Sequence, residues 1–373
     1  MTTPKEILHI LPAAPFGGAQ RLTISLAARQ ARDGYSPHIL FLSRTSASGQ
    51  QALKAVADMA LEASLVTGGP LAQMRGLRAA LTKYAPEIVH LHLPSPVTLA
   101  VLAPPRHFGL IAHLHTRPVL AVHRPTPARR LTALAQSILH SQCDGLIAIS
   151  NWVANAWRTS DPRLAPSVVH NGVNLPAQPG TPRPAGPFTV GMGSRLSGRK
   201  GVEEFLDLAA AVHAQAPDII FRIAGDGPRR AHYEACAADL GLTKVVTFEG
   251  FVADMTGFWR RLDLAAFTSP FEPFGLRLVE PVAAGTPVVA YRTGTGADEV
   301  IDHCRGVTAV PYDEPAALAQ RILSLREASA ERTRMAIEGR QDIARSFETG
   351  VMAAGVAGVY HEALARHGVT ARA

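Results

Sequence analysis

The sequence contains few cysteines and no long apolar run. Its three cysteines, Cys143, Cys236 and Cys304, are scattered and odd in number, which argues against a disulfide framework and against a cysteine-based metal cluster. Because no stretch of about 18 apolar residues occurs, the sequence predicts no membrane-spanning helix. The start of the chain has no charged segment followed by an apolar run, and Pro12 and Pro15 interrupt it. We therefore expect no signal peptide and a cytoplasmic protein.

Two ligand-binding motifs are also missing. The glycines near the start of the chain do not follow the G-x-G-x-x-G pattern of dinucleotide-binding loops, which argues against a nicotinamide cofactor. No Asp-x-Asp pair occurs anywhere in the sequence, so we expect no essential divalent metal. The sequence therefore predicts neither a metal site nor a cofactor.

The length indicates two domains, and the charge is unevenly distributed along the chain. A chain of 373 residues exceeds what one hydrophobic core usually supports. The net charge of +7 is concentrated in the first half, because residues 1–170 carry 16 Lys and Arg against 7 Asp and Glu, whereas the remainder carries 21 against 23. This excess fits an anionic membrane surface, a phosphorylated acceptor or nucleic acid as a partner, and it equally fits an ordinary solvated surface.

Short apolar runs alternate with helical segments in the first half of the chain. The strand-like runs are Ile7–Leu11, His38–Leu42, Ile88–Leu93, Leu110–His115, Gly145–Ser150 and Val168–Val169. This alternation predicts a parallel sheet with helices on both faces, whose ligands bind at the carboxyl ends of the strands. Gly17 and Gly18 follow the first run and precede a helical pattern, which is how a Rossmann-like unit begins.

Two pairs of histidines lie at the predicted strand ends. His90 and His92 form one pair and His113 and His115 the other, and alternate spacing places each pair on one face of its strand. A metal site is one interpretation of four histidines. No Cys or carboxylate with ligand spacing accompanies them, so we favour the alternatives, which are core histidines and a histidine that contacts a ligand.

The second half opens with a strand, a glycine-rich basic loop and a helix. A short strand opens at Thr189, the loop carries Arg195, Arg199 and Lys200, and the helix starts near Val202. Such a loop is suited to binding phosphates, although a solvated basic loop has the same composition. Two further strand-like runs end in glycine turns. These turns contain Gly225 in the first case and Phe248 and Gly250 in the second.

The stretch from Ser269 to Glu280 is the most informative part of the sequence. It predicts a loop, then a helix that begins near Gly275, then a Gly-Thr-Pro turn into a buried strand. Glu272 and Glu280 flank the helix start and would lie about 12 Å apart if the segment between them were helical. The free N–H groups of a helix N-terminus favour phosphate. Pro281 lies inside the predicted helix, which makes the direction of Glu280 less defined.

This stretch resembles the E-x7-E signature of the family-four retaining glycosyltransferases, which have the GT-B fold of two Rossmann-like domains facing each other across a cleft. The resemblance covers nearly the whole chain and is sharpest from Arg195 to Val289. It implies that Glu272 contacts the hydroxyls of the donor sugar and that Glu280 contacts the ribose. It also implies that Arg195 and Lys200 contact the donor diphosphate.

The resemblance assigns roles to several other residues. The residue that reaches the donor sugar from the first domain is His115, with His113 as the second choice. The segment His90-Leu91-His92 resembles a pattern that supports the floor of the acceptor side. The remaining donor-binding positions implied by the resemblance are Gly17, Gly18, Gly193, Gly225, Phe248, Gly250, Phe274, Gly275 and Leu276.

The resemblance also implies a division into domains. Residues 170–174, His-Asn-Gly-Val-Asn, resemble the His-Asn-Gly-Val-Asp segment at which the family leaves its first domain. We predict an acceptor-side domain over 1–174, a Pro- and Gly-rich linker over 175–187 and a nucleotide-sugar domain over 188–346. We expect a final helix, over 347–373, to pack back on the first domain.

The implied activity is transfer of a sugar from a UDP- or GDP-type donor to a glycan or lipid-linked acceptor, as in synthesis of envelope polysaccharides or glycoconjugates. A sugar-nucleotide epimerase, a phosphorylase and an inactive scaffold with this fold are the alternatives. The basic loop that holds Arg117, Arg124, Arg129 and Arg130 predicts docking on an anionic membrane or binding of an acidic glycan, and we expect no binding to nucleic acid.

Overall fold

The computed structural model describes residues 6–13, 17–45, 47–92, 96–102, 106–118, 126, 136–138, 140–177, 186–198, 200–312 and 314–367. Most of the predicted basic loop of the first half, which holds Arg124, Arg129 and Arg130, lies outside these ranges. So do most of the predicted linker, 175–187, and Arg199. The chain divides into two compact units. The first comprises Met1–Gly172 and Thr349–Ala373, and the second is Val173–Glu348.

The first unit contains a sheet of seven parallel strands. The strands are β1 Glu6–Pro12, β2 Ser36–Ser43, β3 Glu62–Thr67, β4 Ile88–His92, β5 Gly109–Leu114, β6 Gly145–Ala148 and β7 Ser167–Val168. The order across the sheet is β3-β2-β1-β4-β5-β6-β7. The helices of this part of the chain are α1 Gly18–Arg32, α2 Ala47–Ala57, α3 Pro70–Tyr84, α4 Pro96–Leu102 and α5 Asn151–Ser160.

The central strands of this sheet are buried along their length because both faces are covered. All residues of β4 and β5 are buried, which is typical of a parallel sheet between two helical layers. The strand order reverses between β1 and β4, because the chain first builds the sheet towards β3 and then returns to add β4. Loops at such a reversal leave a crevice at the carboxyl ends of the strands.

The C-terminal helix, α13 Thr349–His367, belongs to the first unit. Its buried residues Val356, Tyr360 and Ala363 join Ile88 and Ile111 in one apolar cluster on a face of the sheet. Tyr360 is fully buried and also makes polar contacts. The last helix of the chain therefore completes the core of the unit that the first strand begins.

The second unit contains a sheet of six parallel strands. The strands are β8 Thr189–Gly193, β9 Ile220–Ala224, β10 Val246–Gly250, β11 Leu264–Phe267, β12 Val288–Arg292 and β13 Val307–Pro311. Their order is β10-β9-β8-β11-β12-β13, so this sheet reverses between β8 and β11. The helices are α6 Val202–His213, α7 Arg230–Asp239, α8 Met255–Arg260, α9 Leu276–Ala284, α10 Ala297–His303, α11 Pro315–Glu327 and α12 Ser329–Ser346.

The predicted pair of Rossmann-like parallel sheets is confirmed, and most predicted strands agree with the structure to within two residues. Helix α9 begins at Leu276 and continues through Pro281 to Ala284, so the proline does not end it. Strand β3 was not predicted, and β5 ends at Leu114, so His115 is the first residue after the strand. Within the described residues, no helix is both long enough and apolar enough to span a bilayer.

The turn after β9 provides a stability test, because it brings backbone against backbone. Gly225 has φ +133°, and a Cβ at this position would lie 1.7 Å from the carbonyl oxygen of Ser194. Gly241 also has positive φ, at +72°, but nothing lies within 4 Å of its Cβ position. We expect Gly225→Ala to lower the free energy of unfolding by at least ~3 kcal/mol and Gly241→Ala by only about 1 kcal/mol, measured by urea unfolding. Equal losses in the two variants would contradict this close approach.

Candidate functional site

The loops after β8 and β11 lie against each other where the second sheet reverses its order. Thr268, directly after β11, donates a hydrogen bond from Oγ1 to the carbonyl of Gly201 at 2.6 Å. Gly201 has φ +79°, and a Cβ on it would lie 2.5 Å from the backbone nitrogen of Ser269. Only glycine fits this position, and it holds the basic loop 194–201 against the end of β11.

Arg277, in the first turn of α9, joins three separate segments. Its guanidinium donates to the carboxylate of Glu272, to Ser194 Oγ at 3.0 Å and to the carbonyl of Lys200 at 3.3 Å. Lys200 Nζ lies 3.9 Å from Glu272 Oε2, the oxygen that Arg277 also contacts. Glu272 is therefore held between two cations, in a group defined here as the Arg277 cluster: Ser194, Lys200, Glu272 and Arg277.

The start of α9 adds backbone donors to this cluster. Gly275 precedes the helix with φ +108°. Within the described part of the chain, the N–H groups of Leu276 and Arg277 have no acceptor. Phe274 is 2% exposed and packs edge-on against Phe347 with ring centroids 5.8 Å apart, so its side chain belongs to the core. With Lys200, the free N–H groups and the positive helix end make this region favourable for an anion.

Arg195 and Glu280, the other charged residues of the predicted site, lie in the loop after β8 and on α9. Arg195 follows Ser194 in the basic loop and is exposed to solvent. Glu280 is half-buried on the second turn of α9. These two residues therefore lie on segments that Arg277 joins, one in the loop after β8 and the other on the helix after β11.

Four of the other predicted donor-binding residues, Gly193, Gly225, Phe248 and Gly250, make contacts within the second unit. Gly225 donates from its N–H to the carbonyl of Gly250 at 2.7 Å, which ties the ends of β9 and β10 together. A Cβ on Gly193 would lie 2.7 Å from the ring of Trp259, so packing accounts for this glycine. The carbonyl of Phe248 accepts a hydrogen bond from Arg230 at 3.1 Å.

In the first unit, the Gly17-Gly18 turn begins α1. Gln20 accepts a hydrogen bond from the N–H of Gly17 at 3.0 Å and donates to the carbonyl of Pro12 at 3.0 Å. Gly18, the first residue of the helix, is exposed. The side chain of Gln20 therefore fixes the turn, and the exposed backbone of Gly18 remains accessible to a ligand.

The predicted histidine pairs belong to a larger cluster at the reversal of the first sheet. His9 on β1 pairs in register with His90 on β4, and His92 pairs with His113 on β5. With His115, these five residues are defined here as the histidine cluster: His9, His90, His92, His113 and His115. All except the half-buried His115 are at most 1% exposed.

A chain of hydrogen bonds connects Gln30 with three residues of the histidine cluster and fixes the tautomers of their rings. Gln30 Oε1 contacts His9 Nε2 at 2.8 Å, so His9 donates at Nε2 and, being neutral, accepts at Nδ1. His9 Nδ1 lies 3.1 Å from His92 Nε2, and His92 Nδ1 lies 3.1 Å from His115 Nε2. His115 therefore donates from Nε2 to His92 and carries its lone pair on Nδ1.

The same glutamine orients Tyr360 on the C-terminal helix. The Gln30 amide donates to the hydroxyl of Tyr360 at 3.2 Å, and this hydroxyl in turn donates to His90 Nδ1 at 2.7 Å. Burial lowers the pKa of His9 and of His115 to about 4. Burial also holds the pKa of His92 well below its usual value, with neighbouring imidazoles adding to the effect. The cluster is neutral at physiological pH.

Sequence reasoning missed three residues that organise these regions. Arg277 was not singled out, although it lies five positions after Glu272, within the most informative part of the sequence. Gln30 and Tyr360 were missed because they are 330 positions apart and only the fold brings them together. A buried polar residue on the apolar face of a predicted helix, such as Gln30 in α1, is the signal that was available for that position.

Two family models match consecutive parts of the chain. The model described as Glycosyltransferase Family 4 matches residues 16–176, and the model described as Glycosyl transferases group 1 matches residues 177–342. Together they cover most of both units. The first match includes every residue of the histidine cluster except His9, and the second includes the whole Arg277 cluster.

Individual relatives agree with these matches. The 2-deoxystreptamine glucosyltransferase of Streptomyces kanamyceticus is 29% identical over 65% of this chain, which spans 62% of that relative's length. The phosphatidyl-myo-inositol mannosyltransferase of Mycobacterium leprae is 27% identical over 74% of this chain and 73% of its own. The structure of Anabaena HepE in complex with UDP and glucose superposes with a TM-score of 0.75 at 22% identity, covering 96% of this chain and 99% of that one.

The two parallel sheets of the same strand order define a protein of the GT-B class, and the structural likeness to HepE supports this fold. Within that class, the chain belongs to glycosyltransferase family 4.

The bridging role of Arg277 predicts a specific loss of stability. Its hydrogen bonds involve charged and mostly buried groups, so we expect Arg277→Gln to lower the free energy of unfolding by about 1.5–3 kcal/mol. Arg292 pairs with Asp302 at 2.6 Å on the surface of the same unit, with side chains 43% and 54% exposed. Arg292→Gln is the matched control and should cost less than about 1 kcal/mol. Urea unfolding monitored at Trp259 measures both, and an equal effect of the two changes would contradict the bridging role.

Proposed function

We propose that the protein is a retaining glycosyltransferase that transfers a sugar from a nucleotide-diphosphate sugar to a glycan or lipid-linked acceptor. The observation that carries this proposal is the Arg277 cluster beside the free N–H groups at the start of α9. A carboxylate for sugar hydroxyls and a set of positive groups for a diphosphate are then adjacent. Family membership and the names of the relatives support the same reaction.

The chemical difficulty of this reaction is the negative charge that develops on the departing diphosphate. Lys200 and the N–H groups of Leu276 and Arg277 supply positive charge that is in place before the reaction begins, and the exposed Arg195 lies on the same loop as Lys200. Preorganised charges of this kind stabilise the transition state more than the ground state. We propose that they replace the divalent ion on which other sugar transferases rely, so transfer proceeds without added metal.

Glu272 is suited to hold the donor sugar. Arg277 and Lys200 both contact its Oε2, and in the described part of the chain Oε1 has no hydrogen-bond partner. We propose that Oε1 accepts hydrogen bonds from sugar hydroxyls while the two cations keep the carboxylate oriented. Glu280, further along α9, binds the ribose of the donor in this proposal.

His115 is the proposed contact from the first unit. Because its Nε2 donates to His92, its Nδ1 is left as an acceptor. His115 is half-buried and directly follows β5. We propose that Nδ1 accepts a hydrogen bond from a hydroxyl of the donor sugar and fixes the reacting ring. His113 is 1% exposed and therefore less suited to reach a substrate.

We further propose that the protein works in the cytoplasm, docked on the anionic inner face of a membrane that carries its acceptor. The basic excess of the first half supports this, as does the mannosyltransferase relative whose name specifies a phosphatidyl-myo-inositol acceptor. The test is sedimentation with neutral and anionic liposomes over a salt series, using wild type and a variant with Arg124, Arg129 and Arg130 changed to Glu. Absence of binding to anionic lipid at low salt would leave a soluble acceptor.

The reaction itself is tested with a panel of UDP- and GDP-sugars. Nucleotide diphosphate release should occur with one donor, continue in EDTA and accelerate when the correct acceptor is present. The anomeric configuration of the product, read by proton NMR, should match that of the donor. Inversion would contradict the retaining mechanism, a changed sugar without transfer would indicate an epimerase, and no release with any donor would indicate a scaffold.

The division of labour between the two glutamates gives a sharper prediction. Losing a charged hydrogen bond costs about 1.5–3 kcal/mol, or roughly tenfold or more in affinity. Glu280→Ala should therefore weaken binding of the free nucleotide diphosphate at least tenfold, because the ribose contact is lost. Glu272→Ala should leave this affinity within about threefold of wild type while lowering turnover strongly. Calorimetry and steady-state kinetics distinguish the two, and equal losses of nucleotide affinity would contradict the assignment.

A further inference from the structure

The histidine cluster contains more nitrogen donors than its hydrogen bonds use. One nitrogen atom each from His92, His113 and His115 lies within 4.8 Å of the other two. We propose that these three residues bind a transition-metal ion of the Zn²⁺ type. The three residues belong to the first unit, whereas the Arg277 cluster belongs to the second, and the inference goes beyond the proposed sugar transfer.

The spacing of two of the nitrogens matches a shared ion. His92 Nδ1 and His115 Nε2 are 3.1 Å apart. Two imidazole nitrogens on one zinc, each at about 2.0–2.1 Å, are separated by about 2.9 Å at a right angle and about 3.3 Å at the tetrahedral angle. The ion would take the place of the proton between these nitrogens, and the proton of His115 would move to its Nδ1.

His113 supplies the independent observation. Its ring is 1% exposed, and in the described part of the chain neither of its nitrogens has a hydrogen-bond partner. A buried donor without an acceptor destabilises the folded state. The ring lies 4.4 Å from that of His115 and 5.2 Å from that of His92, measured between centroids. Rotation of the ring about χ2 directs a lone pair at an ion between the three residues, which removes this cost.

The other triad of the cluster is less suitable. His9, His90 and His92 also bring their nitrogens within 4.8 Å of one another. Both nitrogens of His9 are already hydrogen-bonded, and His90 Nδ1 is engaged by Tyr360. All three rings are fully buried, whereas the half-buried His115 gives the other triad a route for an ion and a position for a fourth ligand.

The donor set selects the class of ion. Three imidazoles without a carboxylate suit Zn²⁺, Co²⁺, Ni²⁺ or Cu²⁺. Mg²⁺ and Ca²⁺ prefer oxygen ligands and should not bind. Coordination at Nε2 places the proton of His115 on Nδ1, which converts the proposed acceptor for a sugar hydroxyl into a donor. An ion in this site should therefore inhibit transfer, a consequence that also depends on the proposed role of His115.

The direct test is a Co²⁺ titration of the full chain, purified without a polyhistidine tag and stripped with EDTA. We expect one Co²⁺ per chain with the intense visible bands of a tetrahedral site, displaced by Zn²⁺ and unaffected by Mg²⁺. His113→Gln should weaken binding at least tenfold. His140→Gln is the matched control, because His140 is also buried in the first unit with both nitrogens unpartnered among the described residues, and it should bind as wild type does.

A wild-type protein without these bands, or a His113→Gln variant that binds Co²⁺ as tightly as wild type, would overturn the proposal. If circular dichroism shows that His113→Gln is unfolded, X-ray absorption of the zinc-loaded wild type decides. Three imidazole nitrogens in the first shell support the site, and two or fewer overturn it. None of these measurements requires turnover, so failure of the proposed transfer reaction leaves their outcome distinct.

Discussion

The arrangement of the candidate site in the second unit depends on the hydrogen bonds that the guanidinium of Arg277 donates. This guanidinium contacts Ser194 after β8, the backbone of Lys200 at the end of the basic loop, and Glu272 in the loop before α9. These segments are up to 83 residues apart in the chain. Because Arg277 occupies the first turn of α9, the same residue that orients Glu272 also fixes that carboxylate relative to the free N–H groups of the helix. A carboxylate and an anion site are thus held in a fixed relation before any ligand binds.

Both units use the same topological device in different ways. Each sheet reverses its order between its first and fourth strands, and each places its polar residues at that reversal. In the second unit the reversal holds a charged cluster, with Glu272 between Arg277 and Lys200. In the first unit it holds neutral imidazoles, whose pKa values are depressed by burial. A parallel sheet leaves a crevice at this point in both cases, and the side chains alone decide whether it carries charge or lone pairs.

Much of the fold could be predicted because its strands are short, buried and apolar. A short strand opening at Thr189 and a helix starting near Val202 were predicted, and β8 and α6 begin at those residues, since glycines and a basic loop separate them clearly. Strand β3 escaped because it is a half-buried edge strand without a continuous apolar run. The candidate site was only partly predictable. Glu272 and Lys200 stand in recognisable patterns, whereas the contacts of Gln30 with His9 and Tyr360 depend on tertiary packing that no local pattern encodes.

Hydrogen–deuterium exchange with and without nucleotide diphosphate tests most directly the claim that the Arg277 cluster and the start of α9 bind the donor. The account predicts slower exchange in peptides covering residues 194–201 and 272–280 when UDP or GDP is bound. The exchange of α3, which packs against β2 and β3 in the first unit, should remain unchanged. Protection confined to other parts of the chain, at a nucleotide concentration that calorimetry shows to be saturating, would contradict the account.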